Sequence, residues 1–435
     1  MKMKKVMAYV CALSMMTAVL PQNIVSDLNI CGEQKVLAAV DDSGLEYEEL
    51  EDGTVEITGY SGEDTVVVIP DEIDGKKVTS IGISAFFGCS GLTEITIPEG
   101  VTSIGYNAFS DCSGLTEIKI PEGVTTIEAG TFYWCSGLTE IKIPEGVTSI
   151  ETEAFYGCSG LTEITIPEGV KSIREGTFSK CKNLTEITLP EGVTSIGKWA
   201  FSGCSSLTEI TLPEGVTTIE HNAFSGCSGL KEITLPEGVT IIRYLVFEEC
   251  SNLTEITIPE SLINIGGWAF FDTPWLANKR LDNPLVVVNG ILIDGTECSG
   301  SVVVPEGVTG IGHMAFSECS SLTEITLPES VTSIGYGAFS GISADFKIYG
   351  AEGSCAQKYA ADNNLKFEKL SESDLTESVA GDVNGDGIVS SADFIRLVQH
   401  ILNSEKQINS QNSDINGDEK TDSSDAVELK KLFLG

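Results

Sequence analysis

The chain has 435 residues, enough for several domains, and its 64 Asp plus Glu against 26 Lys plus Arg leave a formal net charge of −38. Such acidity excludes nucleic acid as a partner, because a phosphate backbone needs a basic surface, and it argues against anionic membrane faces for the same reason. It suits a soluble protein, or one that takes up divalent cations.

The N terminus is basic at Lys2, Lys4 and Lys5, and Val6 to Leu20 is then apolar apart from Ser14 and Thr17. A run of about 15 residues matches a secretory signal and is short for a membrane span. Val36-Leu37-Ala38 before Asp41-Asp42 predicts cleavage near residue 39, making residues 1–38 a signal peptide and the protein secreted. An uncleaved anchor is the rival reading. No other apolar run in the sequence could span a bilayer. Residues 42–80, with Tyr47, Val55 and Ile57 alternating with polar residues and Val66 to Ile69 leading into Pro70, are predicted to form an N-terminal cap.

A phenylalanine then recurs at 86, 109, 132, 155, 178, 201, 224, 247 and 270, always 23 residues apart, misses one period, and returns at 316 and 339. A fixed period of this length predicts a solenoid, here over residues 81–370. Within one unit, Leu92, Ile95 and Ile97 give the L-x-x-I-x-I strand of a leucine-rich repeat, with Thr93, Glu94 and Thr96 outward. Pro98 stops the strand and Glu99-Gly100 make a turn; Val101 and Ile104 lead back inward, and Ala108, Phe109 and Cys112 fill the far side. No single coil buries its own apolar side, so stacking builds the core.

Nine cysteines (89, 112, 135, 158, 181, 204, 227, 250 and 319) each follow the repeat phenylalanine by three residues. Stacked equivalents lie about 4.8 Å apart with parallel Cβ vectors, whereas a relaxed disulfide wants converging Cβ atoms about 3.8 Å apart. Nine is also odd. A buried ladder of free thiols acting as small apolar fillers is predicted, which in an exported protein implies an oxygen-poor habitat. A metal-thiolate chain is the alternative.

The strand column reads Thr96, Lys119, Lys142, Thr165, Thr188, Thr211, Thr234, Thr257 and Thr326, beside glutamates from Glu94 to Glu324. It is read as a solvated acidic face, with a groove for cations or a polar polymer as the sharper alternative. Trp199 and Trp268 share one repeat position, two before the phenylalanine; Tyr106, Tyr244 and Tyr336 sit one earlier in theirs. Exposed rings of this kind can stack on sugars, so Trp199 and Trp268 are candidate ligand-binding residues. No catalytic residue is expected. His221, His313 and His400 lack a companion nucleophile, and repeated glutamates share one environment where a glycosidase needs two distinct ones.

Residues 271–304 lose the motif but keep Trp275, Leu285 to Val288 and Ile291 to Ile293, either as a β-hairpin bulging from the stack or as a worn repeat. Residues 345–370 read as a closing cap, with a strand at Phe346 and Ile348 and a helix from Ser354 to Leu365. Residues 371–380 form a polar linker.

The last stretch, 381–435, carries two acidic loops. In the first, Asp382, Asn384, Asp386, Ser390 and Asp393 occupy positions 1, 3, 5, 9 and 12, Ile388 offers its carbonyl at 7, and Gly387 permits the turn at 6. This spacing supplies the six or so oxygens Ca²⁺ wants. The second loop repeats it with Asp414, Asn416, Asp418, Lys420 (carbonyl), Asp422 and Asp425. Glu419 stands there in place of the turn glycine, at a cost of about 1 kcal/mol, so the second site is expected to bind calcium more weakly. Helix faces follow each loop, at Phe394, Leu397, Val398 and Ile401, and at Ala426, Leu429, Leu432 and Phe433.

Two resemblances follow. The repeated C-S-G-L-T-E-I-T-I-P-E-G-V-T-S-I-G and A-F over about residues 60–360 resemble the BspA-like (Treponema-type) leucine-rich repeats, whose members are secreted or surface proteins with diverse ligands. Residues 381–435, with Asp at position 12 of both loops, resemble a type I dockerin. That implies a small all-α calcium module that binds cohesin domains of a scaffoldin in the cellulosomes of anaerobic bacteria. It also implies cohesin contacts at Ser391, Ala392, Ser423, Ser424, Lys430 and Lys431. Val398 and Gln399 stand where the second helix has its lysine pair, so the two faces are not equivalent. The combined expectation is a secreted, non-catalytic protein docked on a cohesin-bearing scaffold, its repeats offering a surface to polysaccharide, cell envelope or another protein. A surface adhesin and a carbohydrate-active enzyme of unrecognised type are the alternatives.

Overall fold

The computed structural model describes residues 39–41 and 43–370. The predicted signal, linker and calcium module lie outside them.

Most 23-residue coils contribute two short strands, each parallel to its counterpart in a neighbouring coil, and a turn-rich third side; residues 209–211 form no strand. The first strands, such as Glu94–Thr96, Glu117–Lys119 and Glu140–Lys142, pair in register one period apart (Glu94↔Glu117, Glu117↔Glu140). They bury their central isoleucine and expose the flanking residues, as strand alternation requires. The second strands, such as Ser172–Ile173 through Asn264–Ile265, form a separate parallel sheet. At the N-terminal end, Leu45–Glu49 and Val55–Tyr60 make an antiparallel hairpin, and Val55–Tyr60 pairs parallel with Lys76–Ile81. Pro70 and Pro98 are 28 residues apart, five more than one period, and the extra length is absorbed by a small hairpin, Glu72–Ile73 against Lys76–Ile81.

The third side holds the phenylalanines. From Phe86 to Phe270 their rings stack nearly parallel, with centroids 5.3 to 5.8 Å apart. The chain reaches this packing through two left-handed residues per coil, one two before and one two after the phenylalanine. Asn107 and Asp111, or Trp199 and Gly203, are examples. Glycine, asparagine and aspartate recur at these sites because they tolerate positive φ.

The cysteines of the column form no disulfides and, except for the half-buried Cys89, are buried. The thiols are more than apolar fillers. Cys112 Sγ lies 3.1 Å from the Phe86 carbonyl oxygen of the preceding coil, and Cys135, Cys158, Cys181, Cys204, Cys227 and Cys250 repeat the contact at 3.1 to 3.2 Å. Each S–H donates to a carbonyl that also accepts the N–H of the cysteine in its own coil, as Phe109 does from Cys112.

At position 273 the column holds threonine instead. Thr273 Oγ1 accepts from the Leu276 N–H, and Pro274 occupies the first turn, so the chain leaves the coil path as the helix Pro274–Asp282. Trp275 from that helix closes the ring stack against Phe270 at 4.6 Å. A hairpin follows, Val286–Val288 with Ile291–Asp294, and Ile291–Asp294 starts a new parallel sheet with Gly310–Ile311. The stretch 271–304 thus contains the hairpin and also a helix that the sequence reading lacked. The core falls into two clusters on either side of it, one ending near Val286 and one beginning at Leu285. The helix Cys355–Asp362, capped by Ser354, and the edge strand Lys366–Lys369 close the far end behind a surface of lysine–carboxylate pairs.

Burial pushes the thiols of Cys135, Cys181 and Cys250 up to about 12. Below the ordinary thiol pKa of about 8.5, folded and unfolded states are both protonated and stability is constant. Above it the unfolded chain loses protons that the folded one keeps, so stability falls as pH rises, by about 1.4 kcal/mol per pH unit for each such thiol. Urea midpoints should therefore hold steady from pH 7 to 8 and drop steeply between pH 9 and 10.5. Serine at 135, 181 and 250 should make the drop shallower.

Candidate functional site

The twelve predicted calcium ligands (Asp382, Asn384, Asp386, Ile388, Ser390, Asp393, Asp414, Asn416, Asp418, Lys420, Asp422 and Asp425) and the six predicted cohesin contacts lie outside the described residues. What the structure positions is the solenoid surface.

Trp199 and Trp268 are 44% and 39% exposed, both at the left-handed position. They are three periods apart, and the structure does not bring them together. Trp268 lines a cleft. It lies where the helix Pro274–Asp282 interrupts the stack, with a volume of about 530 Å³, and Trp268, Phe271, Glu248, Glu318, Arg280 and Asp294 are among its walls. The Trp268 and Phe271 rings stand 6.4 Å apart and tilt by 52°. They form two sides of a corner, with Glu248 and Glu318 at one residue and two residues past their repeat phenylalanines.

The floor is fixed by an ion pair. Arg280 Nε donates to Asp294 Oδ2 at 2.7 Å and an Nη donates to Oδ1 at 2.8 Å, a bidentate geometry. The two side chains are only 19% and 9% exposed, so each needs the other.

A second contact crosses the same break. Tyr244 Oη is 2.7 Å from His313 Nδ1, and the Tyr336 backbone N–H donates to the same nitrogen at 3.0 Å. With two donors aimed at Nδ1, the ring proton belongs on Nε2. Gly267 makes this possible: a Cβ there would come within 2.9 Å of the His313 carbonyl oxygen. Burial holds the His313 pKa below the ordinary range, which keeps this bridge neutral. His221 stacks on Tyr244 at 5.7 Å. Two of the chain's three histidines therefore serve this joint.

An aromatic patch escaped the sequence reading. Tyr133 and Tyr156 stack at 4.9 Å, Trp134 meets Tyr156 edge-on at 5.9 Å, and Lys180 Nζ sits over both Trp134 and Tyr156. The signal was in the column one past the phenylalanine, serine in most coils but tyrosine at 133 and 156. Lys180 sits over these rings, and Trp134 remains 37% exposed.

The strand face carries Lys119 and Lys142 side by side in register, within the exposed acidic column. Lys119 pairs with Glu99, an exposed pair of small energetic weight. Among the described residues, no helix is long and apolar enough to cross a membrane.

In comparisons with known proteins, residues 67–185, 171–288 and 295–373 match the BspA type leucine rich repeat region, and residues 380–434 match the dockerin type I domain. Among solved structures, the chain is similar to a leucine rich cell surface protein from Faecalibacterium prausnitzii A2-165. Identity is 31%, over 76% of this chain and 98% of that one, with a TM-score of 0.51. It is also 31% identical to a leucine-rich repeat protein from Bacteroides ovatus ATCC 8483, over 76% of each chain, with a TM-score of 0.46. No curated protein matches it.

Removing the Arg280 side chain leaves the Asp294 carboxylate buried without its guanidinium. Arg280→Ala should cost about 3 kcal/mol, and the double change Arg280→Met with Asp294→Leu should recover most of it. Denaturant titration of the single and double variants checks this.

Proposed function

Because the chain belongs to the BspA-type leucine-rich-repeat family and carries a type I dockerin domain at residues 380–434, we propose that it is a secreted, non-catalytic binding protein. It is mounted through calcium on the cohesin domain of a scaffoldin, in a cellulosome-type assembly that degrades polysaccharide. The observation that carries this reading is the coincidence of the dockerin match with two loops whose oxygen donors follow calcium-ligand spacing.

In this reading Asp382, Asn384, Asp386, Ser390, Asp393 and the Ile388 carbonyl hold the first ion. Asp414, Asn416, Asp418, Asp422, Asp425 and the Lys420 carbonyl hold the second, more weakly because Glu419 replaces glycine at the turn. The ions bring each loop's carboxylates together and thereby fix the helix that follows. Ser391, Ala392, Ser423, Ser424, Lys430 and Lys431 then face the cohesin. The solenoid supplies a long, rigid, acidic surface for a protein or glycan target. A surface adhesin is a second reading, favoured by the similarity to a solved protein described as a cell surface protein.

The full chain should be retained by an immobilised type I cohesin in calcium and released by a chelator. Asp382→Ala should abolish retention, Asp414→Ala should weaken it less, and Lys430→Ala with Lys431→Ala should lower affinity about tenfold, equivalent to 1.4 kcal/mol. Retention that ignores the chelator would contradict the proposal.

A further inference from the structure

We propose that the cleft at the interrupted coil binds the ammonium end of an alkylamine chain, held in the corner of Trp268 and Phe271 and by the carboxylates of Glu248 and Glu318. The proposal rests on the solenoid being a binding surface and not on the docking module.

Three observations choose this ligand class. The first is charge. Among the cleft walls stand Glu248, Asp294, Glu318 and Arg280. Arg280 and Asp294 neutralise each other through their bidentate contact, so the remaining two carboxylates leave the cleft with two negative charges. An anionic ligand would be repelled, and the whole chain at −38 adds to that field.

The second is ring geometry. The two exposed rings tilt by 52° at 6.4 Å. A pyranose stacks best on one flat platform, where its axial C–H groups all meet the same face. Two tilted walls suit a compact cation, which can approach one or both π faces within about 6 Å.

The third is construction. About 530 Å³ falls within the range of small-molecule sites. The walls come from separate parts of the chain: Glu248 and Trp268 from coils before the break, Arg280 from the helix, and Glu318 from the coil after it. The Arg280–Asp294 pair and the Tyr244–His313 bridge hold these parts in place before any ligand arrives. At the break, coils on both sides and the helix line one concavity.

A lysine side chain of a partner protein and a free polyamine both carry this group. The test uses the full chain and ligand-observed saturation-transfer NMR with 1,6-diaminohexane, 1,6-hexanediol, cellobiose and an acetylated Gly-Lys-Gly amide. The diamine should give a signal that the diol and cellobiose do not. Glu248→Gln with Glu318→Gln should lower diamine affinity at least tenfold, and so should Phe271→Ala. Circular dichroism confirms that the variants fold, and the glutamine pair keeps the test valid should Phe271→Ala unfold. Binding of the peptide as well supports a partner's lysine as the source; binding of the diamine alone supports a free amine. Equal binding of the diol or of cellobiose overturns the proposal. So does diamine affinity within twofold of wild type in the glutamine variant, which would move binding to the acidic surface elsewhere. Failure of cohesin retention leaves this result untouched.

Discussion

The structure depends on a carbonyl oxygen shared between coils. From Phe86 to Phe224 each phenylalanine carbonyl takes the N–H of the cysteine three residues on and the S–H of the cysteine one coil later. Sulfur is a weak donor, so the energy of one such contact is small. It repeats in step with the rest of the coil: the ring stack, the parallel strands and the thiol column all advance by one 23-residue step. A coil cannot shift without breaking its contacts on both sides, which is how a solenoid becomes stable from units that are not.

The same constraint explains where the chain can do something different. At residue 273 a threonine stands in the cysteine column, and its hydroxyl caps a helix instead of reaching the previous coil. The stack is closed by Trp275, the sheet of second strands ends at Asn264–Ile265, and a new one starts at Ile291–Asp294. The joint is then rebuilt from polar contacts, Arg280 with Asp294 and Tyr244 with His313. Polar pairs demand exact partners where apolar stacking needs only shape, and a cleft is left between them. Uniform coils provide length and an acidic face; the interruption provides a concave site.

How much of this was legible in the sequence follows from the same physics. The period announced the solenoid, and cysteine spacing announced free thiols, because both need only the regular step. The S–H donation was not legible, since it depends on where the preceding carbonyl points. The helix at 274 is announced by Thr273-Pro274, a capping residue followed by proline, a local signal inside a stretch where the repeat pattern is lost. Trp268 stood out as an aromatic at a variable position, and it does line the cleft. Trp199 carried the same signal three periods away. The partners that make the difference, Glu248 and Glu318, are ordinary acidic residues among 64. Tyr244 and His313 lie 69 residues apart, a pairing no local pattern contains.

Native-state hydrogen exchange on the phenylalanine amides tests this account most directly. The amides of Phe109, Phe132, Phe155, Phe178, Phe201, Phe224 and Phe247 each donate to the next coil within the first core cluster, and Phe316 does so within the second. The first seven should exchange as one cooperative class and Phe316 with a separate free energy, divided at the interrupted coil. A single class spanning both sides, or protection that fades coil by coil along the first block, would contradict it.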